Sequence, residues 1–481
     1  METANNINKL KTALGKHGEA IVLALSYLFF VVGVFFLRIY LSGYVFGSEN
    51  YHHIIIAKNI HQNGHWFIAG NSASPFHALI AFLGGVFGFD YVNLIFPLVI
   101  ISLVFFVLFL ILRKTDIFDT QQRILFFLVL FLSPATTYSA LVLNYFTIIA
   151  LLIFSGIYFY FIERKLLSIV FFLSASFFNP LVFFIVLVLF LSFGFLRDKR
   201  KSIRLASVFS LLLSFVLLLS ALYFDFLYSG RPLFSSHGNI FQMLFSDVGT
   251  VESTGGISSF GFCLFVLGFT LFWRNKRRYG AAISALFVIV FLMLISDWEF
   301  ILLLNFAVAF FSAFAISYLI KRKWQLSFIR NSVLLSVFLG LLFSYFTYSS
   351  HVVYAYPNNS LVPALLVVHR QQDCSVLSDP LYGYWIEYFS GKNPLLNSGL
   401  QNPLRKELSI LYTSRDIGKI RSILDKHNVC VLLLTSDMKD KMLYKGKYPG
   451  LPFVLENSKC FSKLFLNKEG NIEVWKYNPN C

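Results

Sequence analysis

Residues 91–112 run without one charged side chain, and stretches of the same kind recur between about 19 and 348. A helix needs about 20 apolar residues to cross the hydrocarbon core of a bilayer. Of 481 residues, 57% are hydrophobic, 58 are Phe and only 13% are charged, more apolar surface than a soluble fold of this length can hide. The chain is therefore expected to be an α-helical polytopic membrane protein. Its first span starts near Ile21 and runs past Leu41. That is too long for a cleaved signal peptide and lacks a small-residue cleavage site, so the span is expected to stay as an anchor.

The net charge of +16 invites a nucleic-acid reading, which its placement excludes. The basic residues fall in short clusters between apolar runs: Lys9 to Lys16, Arg113-Lys114, Arg164-Lys165, Arg197 to Lys201, Arg274 to Arg278 and Lys321 to Lys323. Cytoplasmic loops of membrane proteins are basic in this way, whereas a nucleic-acid surface needs its cations on one continuous face. No nucleic acid is expected as a partner; the bilayer is.

If every basic loop is cytoplasmic, about eleven spans follow, with the N-terminus inside and the C-terminus outside. They are placed at about 19–42, 91–112, 122–138, 145–162, 166–178, 181–196, 205–226, 258–273, 279–296, 300–320 and 330–348. Pro75 to Gly88 is apolar but too short to cross, and is read as a half-inserted helix. This divides the chain into a transmembrane domain, 1–348, with outer loops 43–90 and 227–257, and an extracytoplasmic α/β domain, 349–481. Glu49, Asn144, Arg231, Glu252, Asp297, Glu299 and the whole tail then share the outer side. Arg38, near the outer end of the first span, is expected to snorkel to the interface, and the Phe stripes to face lipid.

From Ser349 onward charged residues, Asn and Pro become frequent and the pattern changes. Strands are expected at 374–377, 429–434, 460–465 and 472–477, and helices at 382–389 and 416–427. Four of the five cysteines lie here. Cys460 and Cys481 bracket the expected hairpin, and Cys374 and Cys430 open two strands that a βαβ unit would set side by side. Four cysteines allow three pairings, and four free thiols is the competing expectation.

The chemistry is expected at Glu49-Asn50-Tyr51-His52-His53, just past the first span and ahead of Ala57-Lys58-Asn59-Ile60 and Gly64-His65-Trp66. On a helix Glu49 and His53 share one face. One carboxylate and two imidazoles then meet at a membrane surface. A plainer reading of Glu49 is a helix-start acid favoured by the dipole. Glu252 reads equally as an ordinary loop residue, and Arg231 as a cation meeting lipid headgroups.

These residues also carry a resemblance. Gly47 to His53 with the two segments after it, and Ser74-Pro75-Phe76-His77, resemble the first outer loop of the GT-C membrane glycosyltransferases. More narrowly they are similar to archaeal catalytic subunits of oligosaccharyltransferase. Asp379-Pro380-Leu381-Tyr382-Gly383-Tyr384-Trp385-Ile386 is similar to that family's Trp-Trp-Asp-Tyr-Gly motif, with Tyr382 and Gly383 on its last two positions. Gly249-Thr250-Val251-Glu252-Ser253 resembles its flexible-loop motif. The resemblance implies a glycan donor on a polyprenyl phosphate or diphosphate, a protein or peptide acceptor, and Mn²⁺ or Mg²⁺.

By the same resemblance Glu49 and Glu252 are catalytic, and Glu49, His53, Asn144 and Glu252 hold the metal. Arg231 is the best basic candidate for the donor phosphate, and Tyr382, Gly383, Tyr384 and Trp385 are expected to bind the acceptor by shaping its pocket. Two departures stand out. Asp379-Pro380-Leu381 replaces the triplet Trp-Trp-Asp, and Asn144 stands alone where the family carries an acidic pair. They leave two alternatives open: transfer of a single sugar from a polyprenyl monophosphate to a lipid, glycan or hydroxyl acceptor, or a non-catalytic relative with an eroded site.

Overall fold

The helix α1, Glu2–Tyr40, has no polar face along its apolar length. Leu25, Phe29, Val32 and Phe36 form an exposed stripe, while Phe30, Val34 and Leu37 are buried on the other side. A helix apolar all round with one side packed and one open is what lipid permits and water does not. The computed structural model describes residues 2–40, 48–64, 67–68, 71–72, 75–115, 117–178, 182, 256–275, 300–353, 361–396, 405–435, 438–439, 450–468, 471–479 and 481; at some segment ends, Glu49 included, only the backbone is described.

Four helical stretches among these residues are long and apolar enough to cross a membrane: Gly18–Arg38, Phe89–Lys114, Ile301–Lys321 and Ser327–Val352. A fifth candidate is a bent pair, Thr120–Phe131 (α5) and Pro134–Leu141 (α6), angled at 61°. The span expected at 122–138 is thus broken. Pro134 has no N–H to continue the helix and instead opens α6, where a missing donor costs nothing. Between and after the first spans lie α2, Ser48–Asn63, with polar and apolar residues mixed; the shorter apolar α3, Pro75–Phe87; the membrane-length α4, Phe89–Lys114; and the shorter apolar α7, Tyr145–Phe161, and α8, Lys165–Phe178. They are followed by the short α9, Ser259–Asn275, by the membrane-length α10, Ile301–Lys321, and α11, Ser327–Val353, and in the tail by α12, Leu361–His369; α13, Gly383–Ser390; α14, Arg405–Thr413; and α15, Ile417–Lys426. The spans expected at 205–226 and 279–296, and nearly all of 181–196, lie outside the described residues.

The chain separates into two compact units. One is Met1–Ile39, Ala73–Leu79 and Val86–Val353; the other is Tyr40–Ser72, Ile80–Gly85 and Tyr354–Cys481. In the helical unit aromatic rings do much of the packing. Phe30, Phe105 and Phe131 are buried with ring centroids 5.2–5.9 Å apart. Phe118, Phe310, Phe314 and Phe272 form a second knot. The expectation that Phe faces lipid is therefore corrected in part. In a lipid solvent helices associate by close packing, and offset rings add to it. Where α9 meets α10, a Cβ on Gly268 would lie 1.8 Å from the carbonyl oxygen of Phe311, so only glycine lets the two backbones approach.

In the second unit a four-stranded sheet has the order β3-β4-β6-β5: Ser375–Leu377 (β3), Val429–Leu434 (β4), Ile472–Tyr477 (β6) and Phe461–Asn467 (β5). A short hairpin, Phe67–Ile68 (β1) with Asn71–Ser72 (β2), also belongs to this unit. β3 and β4 are parallel, and β4–β6 and β6–β5 are antiparallel. β4 shows why its sequence is apolar throughout. Val429, Leu432 and Leu434 pack with Ile420 and Leu424 of the helix α15, Ile417–Lys426, whereas Val431 and Leu433 pack with Leu365, Tyr382 and Ile386. Both faces are covered, so both sets must be apolar. Among the expected elements, the strands and both helices are found within two residues of their expected ends. Cys374–Cys430 ties β3 to β4 and Cys460–Cys481 closes the hairpin, so both expected bridges are present.

Candidate functional site

The first loop motif folds as α2, and the tail motif as a one-turn 3₁₀ helix, Pro380–Tyr382, running into α13, Gly383–Ser390. Asp379 starts this segment: its Oδ1 accepts the Leu381 N–H at 3.0 Å. Gly391, with φ 66°, ends it in the left-handed conformation that glycine adopts without strain. The two motifs pack directly on each other within the second unit. The Tyr51 ring lies 4.8 Å from Tyr388 and 5.3 Å from Phe389. The Lys58 ammonium sits 4.1 Å above the Tyr388 ring, and the His52 ring 4.3 Å from that of Tyr384.

Tyr51, Ile55 and Lys58 are spaced one helical turn apart, so a single stripe of α2 makes these contacts. Tyr51 is 2% exposed and Asn50 1% exposed, so this helix is part of the unit's core. His53 is half-buried beside His52, ring centroids 6.1 Å apart. The backbone of Glu49 belongs to the first turn of α2; its side chain lies outside the described residues.

Tyr382, Gly383, Tyr384 and Trp385 are all buried. Of these, the Tyr384 ring meets α2 directly, and with Tyr388 and Phe389 of the same helix it forms the bed on which α2 rests. Sequence reasoning passed over Glu387 on the same helix. Burial pushes its carboxyl above the usual glutamate range. Its only signal was a lone acid in an apolar helix.

Asn144 is buried in the helical unit, where its Oδ1 accepts the Phe146 N–H at 2.6 Å and caps α7. Ser, Asp and Asn are favoured at this position because they satisfy an orphaned N–H. Phe76 and His77, also from the resemblance, are buried at the start of α3, with Phe76 6.0 Å from the Tyr145 ring. Arg231, Glu252 and His65-Trp66 lie outside the described residues. Among the described residues no three His, Cys, Asp or Glu side chains gather as a metal site.

Arg38 does not snorkel. It is 5% exposed, and its Nη2 donates to the carbonyl of Ala140 at 2.8 Å. Instead of extending to the interface, the guanidinium is held against α6.

Membrane-length helices, a helix that follows the first of them in sequence and a small C-terminal sheet accompany a fold shared with solved GT-C membrane glycosyltransferases. Among solved structures the chain is similar to the archaeal oligosaccharyltransferase AglB from Archaeoglobus fulgidus, in complex with an inhibitory peptide and a dolichol-phosphate. The TM-score is 0.61 at 15% identity, over 95% of this chain and 74% of that one. ArnT from Cupriavidus metallidurans bound to undecaprenyl phosphate aligns with TM-score 0.51 at 11% identity, over 93% of this chain and 97% of that one. The mycobacterial arabinofuranosyltransferase AftD aligns with TM-score 0.50 at 12% identity, over 96% of this chain and 40% of that one. No family profile matches the chain, and no curated protein does.

Proposed function

We propose that the protein is a membrane glycosyltransferase that moves a glycan from a polyprenyl-phosphate or diphosphate carrier to a protein acceptor. The observation that carries this reading is the packing of α2 on α13 within a GT-C fold, which unites the two segments that resemble the oligosaccharyltransferase motifs. The neighbours' bound dolichol-phosphate, undecaprenyl phosphate and peptide support the donor and acceptor classes.

In the reaction an acceptor nucleophile attacks the anomeric carbon. The carbon–oxygen bond to phosphate breaks, its electron pair leaves with the phosphate, and the acceptor gives up a proton. Inversion follows from attack opposite the leaving group. Glu49 is the group assigned to the reacting centre, on a helix whose orientation is fixed by Tyr51, His52 and Lys58. Glu252 and Arg231 are proposed as its loop partners, the first for the acceptor side and the second for the donor phosphate.

A divalent cation, Mn²⁺ or Mg²⁺, would be held by Glu49, Glu252 and His53, and supplies charge neutralisation at the departing phosphate when bound. Asn144 remains the fourth proposed ligand: its Oδ1 accepts the Phe146 N–H, and an amide oxygen has a second lone pair to offer. Tyr382, Gly383, Tyr384 and Trp385 are proposed to shape the acceptor side, and the Tyr384 ring also supports α2 through His52.

One observation favours a second reading. The alignment with ArnT spans 97% of that chain, while 74% of AglB is matched, and Asp379-Pro380-Leu381 stands where the acceptor-gripping triplet would be. Single-sugar transfer from a polyprenyl monophosphate is the reaction of that reading.

The test is transfer by purified protein from a lipid-linked sugar to an Asn-x-Ser/Thr peptide, with and without Mn²⁺. Glu49→Gln keeps the shape of the side chain and removes its charge, so transfer should fall about a hundredfold or more. Equal transfer by Glu49→Gln at limiting Mn²⁺ would remove Glu49 from the mechanism. Transfer to a lipid or glycan hydroxyl but not to the peptide would select the second reading.

A further inference from the structure

The first membrane helix buries two charged side chains, one at each end, and treats them in opposite ways. Glu19 is 8% exposed and fully neutralised: its Oε1 and Oε2 accept from Nε and Nη2 of Arg123 at 2.6 and 2.8 Å. Arg38 is just as deeply buried, with no charged residue between the two along the helix. Among the described residues it has one hydrogen bond, from Nη2 to Ala140, and its Nε and Nη1 have no acceptor.

The neighbouring hydroxyls do not serve it. Ala140 belongs to α6, whose polar groups are committed among themselves and to α10. Ser133 Oγ donates to Asn305 Oδ1 at 2.6 Å, and Asn305 Nδ2 donates to Thr136 Oγ1 at 3.2 Å. Ser139 Oγ donates to the Ala135 carbonyl at 2.9 Å. No described carboxylate forms an ion pair with Arg38.

An arginine cannot shed its proton at these depths, and a buried charge left unpaired costs several kcal/mol. Such a charge is retained where an anion arrives to meet it. The guanidinium fork fits the oxygens of phosphate or carboxylate. A soluble anion would have to leave water to reach the end of a membrane helix, whereas the phosphate of a lipid already resides at that level.

We propose that Arg38 receives the phosphate of the lipid-linked donor, with Nε and Nη1 donating to its oxygens. The proposal rests on the functional reading above and adds to it a basic residue on the first span, separate from Arg231 in the second outer loop.

The test uses the full chain in detergent or lipid nanodiscs. Three probes are titrated: polyprenyl phosphate, phosphatidylglycerol and inorganic phosphate. Binding is read from the shift in melting midpoint, in the parent, Arg38→Met and Arg38→Lys. Polyprenyl phosphate should bind Arg38→Met about ten- to a hundredfold more weakly than the parent, the loss typical of a charged hydrogen bond. Arg38→Lys should fall between, because a point charge replaces the fork. Without ligand, Arg38→Met should melt at or above the parent, because the uncompensated charge is gone.

Parental affinity in Arg38→Met overturns the proposal. So does an unliganded Arg38→Met that melts lower and is restored by Arg38→Lys, which would make Arg38 a structural strut. If Arg38→Met abolishes the shift with phosphatidylglycerol or inorganic phosphate but keeps that with polyprenyl phosphate, Arg38 holds another anion and the proposal falls. Sugar transfer in the same preparations separates the two levels. A parent that transfers sugar while Arg38→Met binds normally defeats only the role of Arg38; a parent that neither binds polyprenyl phosphate nor transfers defeats the functional reading with it.

Discussion

Among the described residues of the helical unit, several buried polar side chains are tied to one another or to a helix end: Ser133, Thr136 and Asn305 to one another, Ser258 Oγ to Ser344 Oγ at 2.8 Å, Asn144 to the start of α7; the hydroxyls of Thr147, Ser317 and Tyr348 have no described partner. In the sheet-bearing unit polar groups are plentiful, and the burden falls on two disulfides and on charged clusters. Glu473 accepts from Lys439 at 2.8 Å and from the Trp475 ring N–H at 2.7 Å, and Tyr477 donates to Asp425 at 2.8 Å. The contrast follows from solvent. Lipid offers an orphaned polar group nothing, so each one left over in a membrane helix is costly, a full charge far more so than a hydroxyl. A unit solvated by water can carry many such groups and needs other means to hold a small core together. A leftover cation is therefore informative in the first unit and unremarkable in the second, which is why Arg38 and not a surface lysine invites a ligand.

The largest expected effect breaks the covalent half of that comparison. Replacing Cys374 and Cys430 together by Ser frees a loop whose ends are 56 residues apart. Closing such a loop is worth about 4 kcal/mol in chain entropy. Opening Cys460–Cys481, separated by 21 residues, should cost about 3 kcal/mol. Thermal unfolding of the full chain, with proteolytic cuts mapped by mass spectrometry, should show new cleavage within 361–481 and none within α4 or α10. Equal cleavage in both units would mean that the bridges stabilise more than the sheet.

A smaller effect sharpens the electrostatic half. Burial raises the Glu473 carboxyl, but the hydrogen bonds from Lys439 and Trp475 and the charges of Lys439 and Lys463 outweigh it, so the group titrates below the usual glutamate range. A carboxyl depressed in the folded state stabilises fully above its unfolded pKa, and that contribution disappears as pH falls toward the depressed folded value. Melting midpoints should thus decline in acid below the ordinary glutamate range. Glu473→Gln should flatten that decline, and a slope identical to the parent's would remove Glu473 from the account.

The smallest effect lies in the helical unit. Asn144→Ala loses a helix cap worth about 1 kcal/mol, while Asn144→Asp retains one and should melt close to the parent. Loss of transfer in Asn144→Ala without a lower melting midpoint would make metal binding, rather than the cap, the main role of Asn144.

The tail was legible almost element by element because β4, α15 and the final hairpin each announce themselves locally. Val429 to Leu434 is apolar throughout, Ile420 and Leu424 lie one turn apart, and two apolar stretches flank Lys468 to Asn471. The candidate site was legible only as two separate segments. Nothing near Tyr51 names Tyr388 as its partner, and nothing near Asn144 says whether its amide meets a cation or the Phe146 N–H. The break between Phe131 and Pro134 could have been read from the proline, but the charge count that placed a span at 122–138 does not see angles.

By itself the sequence determined that this chain lives in a membrane, where its basic loops fall, which cysteines could pair and which segments bear the glycosyltransferase resemblance. Each of these is a property of composition or spacing along a short stretch. Tertiary structure alone decided that α2 rests on α13, that Tyr384, Tyr388 and Phe389 are its bed, that Asn144 caps α7 and that Arg38 is buried against α6 with two nitrogens unanswered among the described residues. A single polar side chain has many possible partners, and which one it takes depends on the distant segment that packing brings within about 3 Å of it.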